Sequence, residues 1–160
     1  MMQEIVVISK SPEETISLGK RVGELLKPPD VVSMFGDFGS GKTCLVQGIA
    51  EGLGAGDGEY VRSPSYTLMN QYVGMFPIYH FDLFRINDLI GMEELDYEDY
   101  FYGNGVTIIE WAEKIQTILP TNRLDIRLLI IDERVREITL LPGNLEHLFS
   151  LHSQLGMAVY

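Results

Sequence analysis

The glycine-rich stretch GDFGSGKT, residues 36–43, has the residue types and the spacing of a phosphate-binding loop. Its glycines permit backbone angles and a close approach that a β-carbon would block. Such a turn points main-chain N–H groups at phosphate oxygens, at the positive end of the helix that follows. In this pattern Lys42 reaches the β- and γ-phosphates, and Thr43 places its hydroxyl on Mg²⁺. The stretch therefore predicts a nucleoside triphosphate site, whose binding residues are Gly36, Asp37, Phe38, Gly39, Ser40, Gly41, Lys42, Thr43 and Cys44.

Two acidic residues at the ends of predicted strands are candidates for completing this site. Glu110 ends the apolar run VTIIE, and Asp82 ends the less apolar run IYHFD. Proteins that bind nucleoside triphosphates through such a loop use an acidic residue at a strand end to complete the Mg²⁺ site. The spacing does not decide which carboxylate binds the metal and which orients water, so both are predicted as metal ligands beside Thr43. Both are also predicted as catalytic residues, together with Lys42.

Trp111 and His80 lie close to these carboxylates in the sequence. Two interpretations of Trp111 stay open: it shapes the nucleotide or partner pocket, or it packs under the phosphate loop. His80 lies inside a predicted strand and is interpreted as a structural hydrogen-bonding group rather than as a proton carrier.

The hydrophobic pattern predicts the elements that must position these residues. Ser11, as an N-cap before Pro12, begins a helix that Pro28 ends, and a second helix is predicted to start near Gly41. The predicted helices are 12–27, the one from Gly41, an acidic one over 88–101, a short one over 111–119 and one in the tail from Gly143. Apolar runs and period-two alternation predict strands at 3–9, 31–35, 77–86, 105–111, 123–132 and 135–142, with a loop running into a further strand over 60–72.

This order of elements predicts a three-layer α/β domain of the P-loop NTPase type, with one domain over residues 1–160. Its sheet is predicted to be mixed, with a parallel centre and an antiparallel C-terminal hairpin that turns around Asp132 and Glu133. The chain has 160 residues, of which 46% are hydrophobic and 22% charged, so it can bury a full core.

The net charge of −11 restricts the partners that the chain can bind by itself. Nucleic-acid affinity comes largely from Lys and Arg that neutralise phosphates, and here 12 basic residues stand against 23 acidic ones. We therefore expect no direct binding to RNA or DNA, whereas a nucleoside triphosphate with its metal, or a basic protein partner, is compatible. One cysteine, no apolar run long enough to span a membrane and no signal-peptide pattern predict a cytoplasmic protein.

Four segments in this order resemble the TsaE family, formerly the YjeE family: GDFGSGKT (36–43), SPSYTL (63–68), YHFDLFR (79–85) and IIEW (108–111). The resemblance is strong over 31–111. The phosphate loop alone is shared by thousands of proteins, whereas the combination of the other three segments is far more specific. The family comprises small bacterial P-loop ATPases of tRNA threonylcarbamoyladenosine biosynthesis, so the resemblance implies ATP and Mg²⁺ as ligands.

The resemblance also implies a partner, the TsaD–TsaB pair, which transfers threonylcarbamoyl to an adenosine beside the anticodon of tRNA. ATP hydrolysis would reset or regulate that complex between turnovers, and tRNA would be met only through the partners. Asp82 and Glu110 would lie near the metal and the γ-phosphate, as the matching residues do in the family. A switch-like loop would sense the nucleotide through Ser63, Pro64, Tyr66 and Thr67.

Two other functions stay open at this point. Many small-molecule kinases are P-loop proteins of similar size, but a kinase needs a second pocket and a basic lid, and no Arg-rich segment stands out in the sequence. A nucleotide-gated binding module with negligible hydrolysis would use the same loop and would not depend on Glu110 for its function.

Overall fold

The computed structural model describes residues 4–56, 61–64, 68–87 and 89–155. Its strands are β1 (Ile5–Ser9), β2 (Val31–Phe35), β3 (Met69–Val73), β4 (Pro77–Asp82), β5 (Val106–Glu110), β6 (Leu124–Ile130) and β7 (Arg136–Leu141). Its helices are α1 (Pro12–Leu25), α2 (Lys42–Gly52), α3 (Ile90–Glu94), α4 (Tyr97–Phe101) and α5 (Leu151–Gln154), with 3₁₀ helices at Ala112–Ile118 and Glu146–Leu148. None of the helices within these ranges is long and apolar enough to cross a membrane.

The described strands form a 7-stranded mixed sheet in the order β1-β7-β6-β2-β5-β4-β3. The central strands β6, β2, β5 and β4 pair in parallel. The β6–β7 hairpin is antiparallel, as predicted, and β1 adds to it in the antiparallel sense. The other edge is antiparallel as well, because β3 pairs with β4 as a hairpin. The predicted parallel centre and antiparallel C-terminal end are confirmed.

Helices cover both faces of the sheet, so the predicted three layers are confirmed. The helices α1 and α2 pack on the face that carries Val32, Met34 and Ile108. The shorter helices α3 and α4 and the first 3₁₀ helix pack on the face that carries Phe81 and Ile109. Neighbouring residues of one strand divide between the two cores, as period-two alternation requires of a strand that is buried on both sides.

Glycines allow α1 and α2 to approach each other at backbone contact. A β-carbon at Gly48 would lie 2.1 Å from the carbonyl oxygen of Ile16, and one at Gly19 would lie 2.5 Å from that of Leu45. Gly23 and Gly52 are equally constrained by the opposite helix. Since backbone atoms cannot rotate away as a side chain can, this packing fixes α2 relative to α1. The start of α2, where the phosphate loop ends, is fixed with it.

Several predicted element bounds are wrong. The acidic segment forms two short helices rather than one, because Asp96 takes a left-handed conformation with φ 51° between α3 and α4. The strand predicted over 77–86 ends at Asp82. The loop predicted to run into a strand over 60–72 does lead into a strand, at Met69–Val73. The helix predicted over 12–27 ends at Leu25, ahead of the prolines that disfavour helical geometry before them.

The C-terminal tail also differs from the prediction of one helix. It forms the 3₁₀ turn Glu146–Leu148 and the single turn of α5 instead. His147 of that 3₁₀ turn places Nε2 2.6 Å from Oδ2 of Asp30, the residue just before β2. Leu148 and Leu151 are fully buried in the core under α1. The tail therefore closes the core beside α1.

Candidate nucleotide-binding site

The phosphate loop connects the end of β2 to the start of α2, as the sequence predicted. Gly39 and Gly41 have positive φ values of 77° and 102°, which favour glycine over any residue with a side chain. Gly36 is required for space: a β-carbon there would lie 2.9 Å from the carbonyl oxygen of Leu128. The loop therefore has the backbone geometry that its sequence implied, at the positive end of the α2 dipole.

Lys42 is folded back into the loop. Its Nζ donates a hydrogen bond to the carbonyl oxygen of Gly36 and lies 3.8 Å from the centre of the Trp111 ring. Burial lowers the pKa of Lys42, and the negative charges of nearby Glu110 and Glu113 act against that shift. The ammonium group is therefore held by a carbonyl dipole and an aromatic face, both of which stabilise a cation. Trp111 packs against the loop through its lysine and also lines the cavity at this site, so the structure is consistent with both interpretations of Trp111.

Two exposed rings extend this aromatic contact to the surface. The Phe38 and Trp111 rings lie 5.2 Å apart, and Phe84 contacts both, at 4.6 Å from Phe38 and 5.3 Å from Trp111. Phe38 is 66% exposed. The mouth of the site beside Lys42 is therefore aromatic.

Asp82 and Glu110 lie side by side at the carboxyl ends of the parallel strands β4 and β5. They are register partners on β4 and β5, and their exposed fractions are only 9% and 2%. Asp82 accepts a hydrogen bond of 3.0 Å from the main-chain N–H of Phe84. Burial raises the pKa of Asp82, and the charge of Glu110 adds to this effect. The parallel centre of the sheet thus brings together two carboxylates that are far apart in sequence.

Ser63 connects the two halves of the site. Its Oγ lies 3.1 Å from Oγ1 of Thr43 on the phosphate loop and donates a 3.3 Å hydrogen bond to Oε2 of Glu110. Asp82 has no such link to Thr43 among the contacts that the structure describes. Of the other predicted switch residues, Pro64 is buried, whereas Tyr66 and Thr67 lie outside the described residues.

These side chains offer oxygen donors of the kind that Mg²⁺ prefers. Mg²⁺ takes few protein ligands and keeps waters and phosphate oxygens as the rest. Thr43 supplies a hydroxyl and Glu110 a carboxylate, and the Ser63 hydroxyl bonds to both. Within the described residues, no group of three or more His, Cys, Asp or Glu could hold a metal ion by itself. The donor set therefore fits a cation that is held jointly by the protein and a phosphate.

A cavity of about 720 Å³ contains these groups and extends beyond them. Residues 37–39 and 41–44 line it together with Ser63, Asp82 and Glu110, whereas Gly36 and Ser40 do not line it. The cavity is also lined by residues that the sequence did not single out for binding, among them Ser11 and Pro12 at the start of α1, and Glu133, Arg134 and Arg136 of the β6–β7 hairpin.

Arg136 joins the hairpin to the phosphate loop. Its Nη2 donates a 2.9 Å hydrogen bond to the carbonyl oxygen of Gly39, and its Nε donates one of 3.2 Å. Ser11 was predicted only as a helix cap, and it is one, since Oγ accepts from the N–H of Glu14 at 3.1 Å. No local pattern around either residue indicated a place in the cavity.

The glycine-rich loop connects the buried strand β2 to helix α2 at the carboxyl ends of the parallel strands. Acidic residues end the parallel strands β4 and β5 on the same side of the sheet. This arrangement defines the P-loop class of α/β proteins. The family model described as "Threonylcarbamoyl adenosine biosynthesis protein TsaE" matches residues 9–138. The chain therefore belongs to the TsaE family.

Individual relatives agree with this assignment. The "tRNA threonylcarbamoyladenosine biosynthesis protein TsaE" of Bacillus subtilis is 39% identical over 86% of this chain and 85% of its own length. The protein of the same description from Treponema pallidum is 37% identical over 82% of this chain and 96% of its own length. The crystal structure of Bacillus subtilis YdiB superposes with a TM-score of 0.77 at 33% identity, over 98% of both chains.

Proposed function

We propose that the chain hydrolyses ATP with Mg²⁺ in support of forming the threonylcarbamoyl group on the adenosine next to the anticodon of tRNA. The observation that carries this proposal is the link from Thr43 through Ser63 to Glu110, which joins the phosphate loop to a strand-end carboxylate. Membership of the TsaE family supplies the pathway. Its relatives carry that pathway in their names.

In the proposed complex the triphosphate lies along the phosphate loop, and the base and ribose lie toward the α1 and hairpin end of the cavity. The main-chain N–H groups at the start of α2 face the phosphates. Lys42 exchanges the carbonyl oxygen of Gly36 for phosphate oxygens. Arg136 lies where it can contact the nucleotide while it keeps its bonds to Gly39.

Glu110 and Thr43 are the proposed protein ligands of the metal, because Ser63 bonds to both of these side chains. The described contacts include no bond from Ser63 to Asp82. Mg²⁺ would neutralise charge that develops on the phosphates during transfer to water. Asp82 lies beside Glu110 and is the proposed residue that orients the attacking water. Its raised pKa lets it accept a proton more readily than an ordinary aspartate.

The proposed direct target is a TsaD–TsaB protein complex rather than tRNA, with the cytoplasm as the place of action. The charge of −11 disfavours binding to a polyanion. The same charge favours a partner with a basic surface. An ATPase that regulates other proteins needs no substrate pocket besides the nucleotide cavity.

Two measurements test this proposal. Pull-down with TsaD–TsaB is expected to retain the chain in a nucleotide-dependent manner, and equal retention with and without ATP would count against it. The Glu110→Ala variant is expected to lose support of threonylcarbamoyladenosine formation, measured by nucleoside mass spectrometry of tRNA. Glu51→Gln, at the far end of α2, is the matched control and should retain it. Full support by the Glu110→Ala variant would favour a binding module that does not hydrolyse ATP.

A further inference from the structure

Glu110 has a buried side-chain partner that is neither a proposed metal ligand nor a proposed water-orienting residue. The His80 ring is completely buried, and its Nε2 lies 2.6 Å from Oε2 of Glu110. Because a carboxylate only accepts hydrogen bonds, Nε2 is the donor in this contact. The other ring nitrogen, Nδ1, lies 2.9 Å from the hydroxyl of Tyr72. The histidine thus uses both ring nitrogens to connect two side chains, in agreement with its predicted role as a hydrogen-bonding group.

Tyr72 continues this connection to the main chain of Arg62. Its hydroxyl accepts a hydrogen bond from the N–H of Arg62 at 3.4 Å and lies 3.1 Å from the carbonyl oxygen of the same residue. Nδ2 of Asn70 donates a hydrogen bond of 3.1 Å to that carbonyl oxygen. Burial raises the pKa of the Tyr72 hydroxyl, so the group keeps its proton. Strand β3 therefore holds the residue that directly precedes Ser63.

The contacts close into a circuit. Glu110 bonds to His80, His80 to Tyr72, and Tyr72 to Arg62. The peptide bond leads from Arg62 to Ser63, whose hydroxyl returns to Glu110. The carboxylate at the centre of the site is thereby tied twice to one short segment, once directly and once through two buried side chains.

Strand register explains why these groups meet. Asp82 pairs with Glu110 and His80 with Ile108 across β4 and β5, so positions 80 and 110 share one face of the sheet. Across β3 and β4, Asn70 pairs with His80, so Tyr72 lies diagonal to His80 on that same face. Diagonal neighbours are within reach of long side chains. The circuit thus depends on three adjacent strands.

We propose that His80 and Tyr72 are positioning residues that hold the Glu110 carboxylate and the main chain at Arg62 and Ser63 as one unit. This inference rests on the proposed ATPase function. A carboxylate with a fixed donor on one side has fewer orientations available, and a displacement of about 1 Å at a catalytic group can cost about a hundredfold in rate. The circuit keeps the Glu110 carboxylate in the orientation in which it is linked to Thr43. It also transmits a displacement of Glu110 to the 61–64 segment.

Tyr72→Phe tests the proposal by removing the hydroxyl while keeping the ring in the core. We expect kcat for phosphate release to fall about tenfold, with KM for Mg-ATP changed by less than about twofold, because the groups that bind ATP are intact. The matched control is Tyr79→Phe, since Tyr79 is also buried and bonds through its hydroxyl to Asn104 at 3.2 Å. It lies in the core on the opposite face of the sheet, and its kcat should equal that of the wild type.

A second variant tests whether the two residues act together. His80→Asn keeps an amide near the position of Nδ1 and removes the contact with Glu110. If the circuit is one unit, the double variant with Tyr72→Phe should lose no more activity than the more impaired single variant. Multiplicative losses would overturn the proposal.

Hydrogen exchange supplies a readout that does not depend on hydrolysis. The N–H of Arg62 loses its acceptor in Tyr72→Phe, so its exchange should accelerate about tenfold or more. Amides of α1 and α2 should exchange as in the wild type. Unchanged exchange at Arg62, or unchanged kcat, overturns the proposal. If the wild-type chain releases no phosphate, the proposed function fails, whereas the Arg62 amide still decides whether the circuit holds this segment.

Discussion

The two sides of the cavity are built in different ways. On one side the phosphate loop leads into α2, which glycines such as Gly48 hold against the backbone of α1. On the other side the 61–64 segment is held by hydrogen bonds with the side chains of Thr43, Glu110 and Tyr72. Close-packed backbones have no nearby alternative arrangement, whereas a few hydrogen bonds of about 1 kcal/mol each can be exchanged. The phosphate-loop side is therefore the more rigid one, which agrees with its proposed role of holding the nucleotide, and the exchangeable bonds of the 61–64 side agree with its proposed role of sensing it.

The largest expected effect lies in the helix interface. Gly48→Ala places a β-carbon 2.1 Å from the carbonyl oxygen of Ile16, so the helices must separate. We expect the free energy of unfolding to fall by about 2–4 kcal/mol, measured by urea denaturation. Gly91→Ala is the matched control, because its nearest neighbour is a side-chain atom of Ile86 at 3.5 Å, an ordinary contact. Equal unfolding midpoints for the two variants would contradict the interpretation that close backbone packing makes the phosphate-loop side of the cavity rigid.

A smaller effect is expected on the hydrogen-bonded side. Ser63→Ala removes the hydroxyl that joins Thr43 to Glu110. We expect kcat for phosphate release to fall about tenfold, while the free energy of unfolding changes by less than about 1 kcal/mol. Ser153→Ala, which removes a hydroxyl bonded within the C-terminal turn, should change neither quantity. A Ser63→Ala variant as destabilised as Gly48→Ala would remove the distinction between the two sides.

Arg136 connects the phosphate loop to the β6–β7 hairpin. Its substitution should weaken ATP binding. Arg136→Gln breaks the paired hydrogen bonds to Gly39. The dissociation constant for ATP, measured by calorimetry, is expected to rise about fivefold, with kcat changed by less than about twofold. Arg127→Gln, an exposed arginine on β6, is the control that should bind ATP normally. A loss of kcat without weaker binding would place Arg136 in the chemical step instead.

The smallest expected effect is on thermal stability, and it comes from the burial of the Asp82 carboxylate. Burial raises the pKa of Asp82 above its ordinary value of 3.8, so its ionised form destabilises the fold once the pH exceeds that value. Asp82→Asn should therefore raise the melting temperature by up to a few degrees near neutral pH. The gain should vanish well below pH 3.8, where the carboxyl is protonated in both the folded and the unfolded chain. A gain that persists in acid would mean that desolvation is not its cause.

Local sequence patterns predicted the parts of the site that one segment forms. The phosphate loop, the first turn of α2 and the strand that ends in Glu110 each follow from residue types within about ten positions. Asp82 was found for the same reason, because it ends a strand. The positions of Asp82 and Glu110 relative to each other could not be predicted in this way, because they depend on the parallel pairing of β4 with β5.

The remaining parts depend on pairings that no single segment specifies. Arg136 reaches Gly39 only because β6 lies between β2 and β7 in the sheet and pairs with both. Tyr72 meets His80 through the register of the β3–β4 hairpin. Gly19 and Gly48 lower helix propensity when each is considered in its own helix, and their purpose is visible only when α1 and α2 are in contact.

The rate of phosphate release from Mg-ATP, without any acceptor and with or without TsaD–TsaB, tests the central claim most directly. We expect slow release by the chain alone, a higher rate with the partner complex, and loss of both in Glu110→Gln. A strict kinase would release almost no phosphate in either condition. No release with the partners present, or full release by Glu110→Gln, would contradict a partner-coupled ATPase whose site joins Thr43 to Glu110.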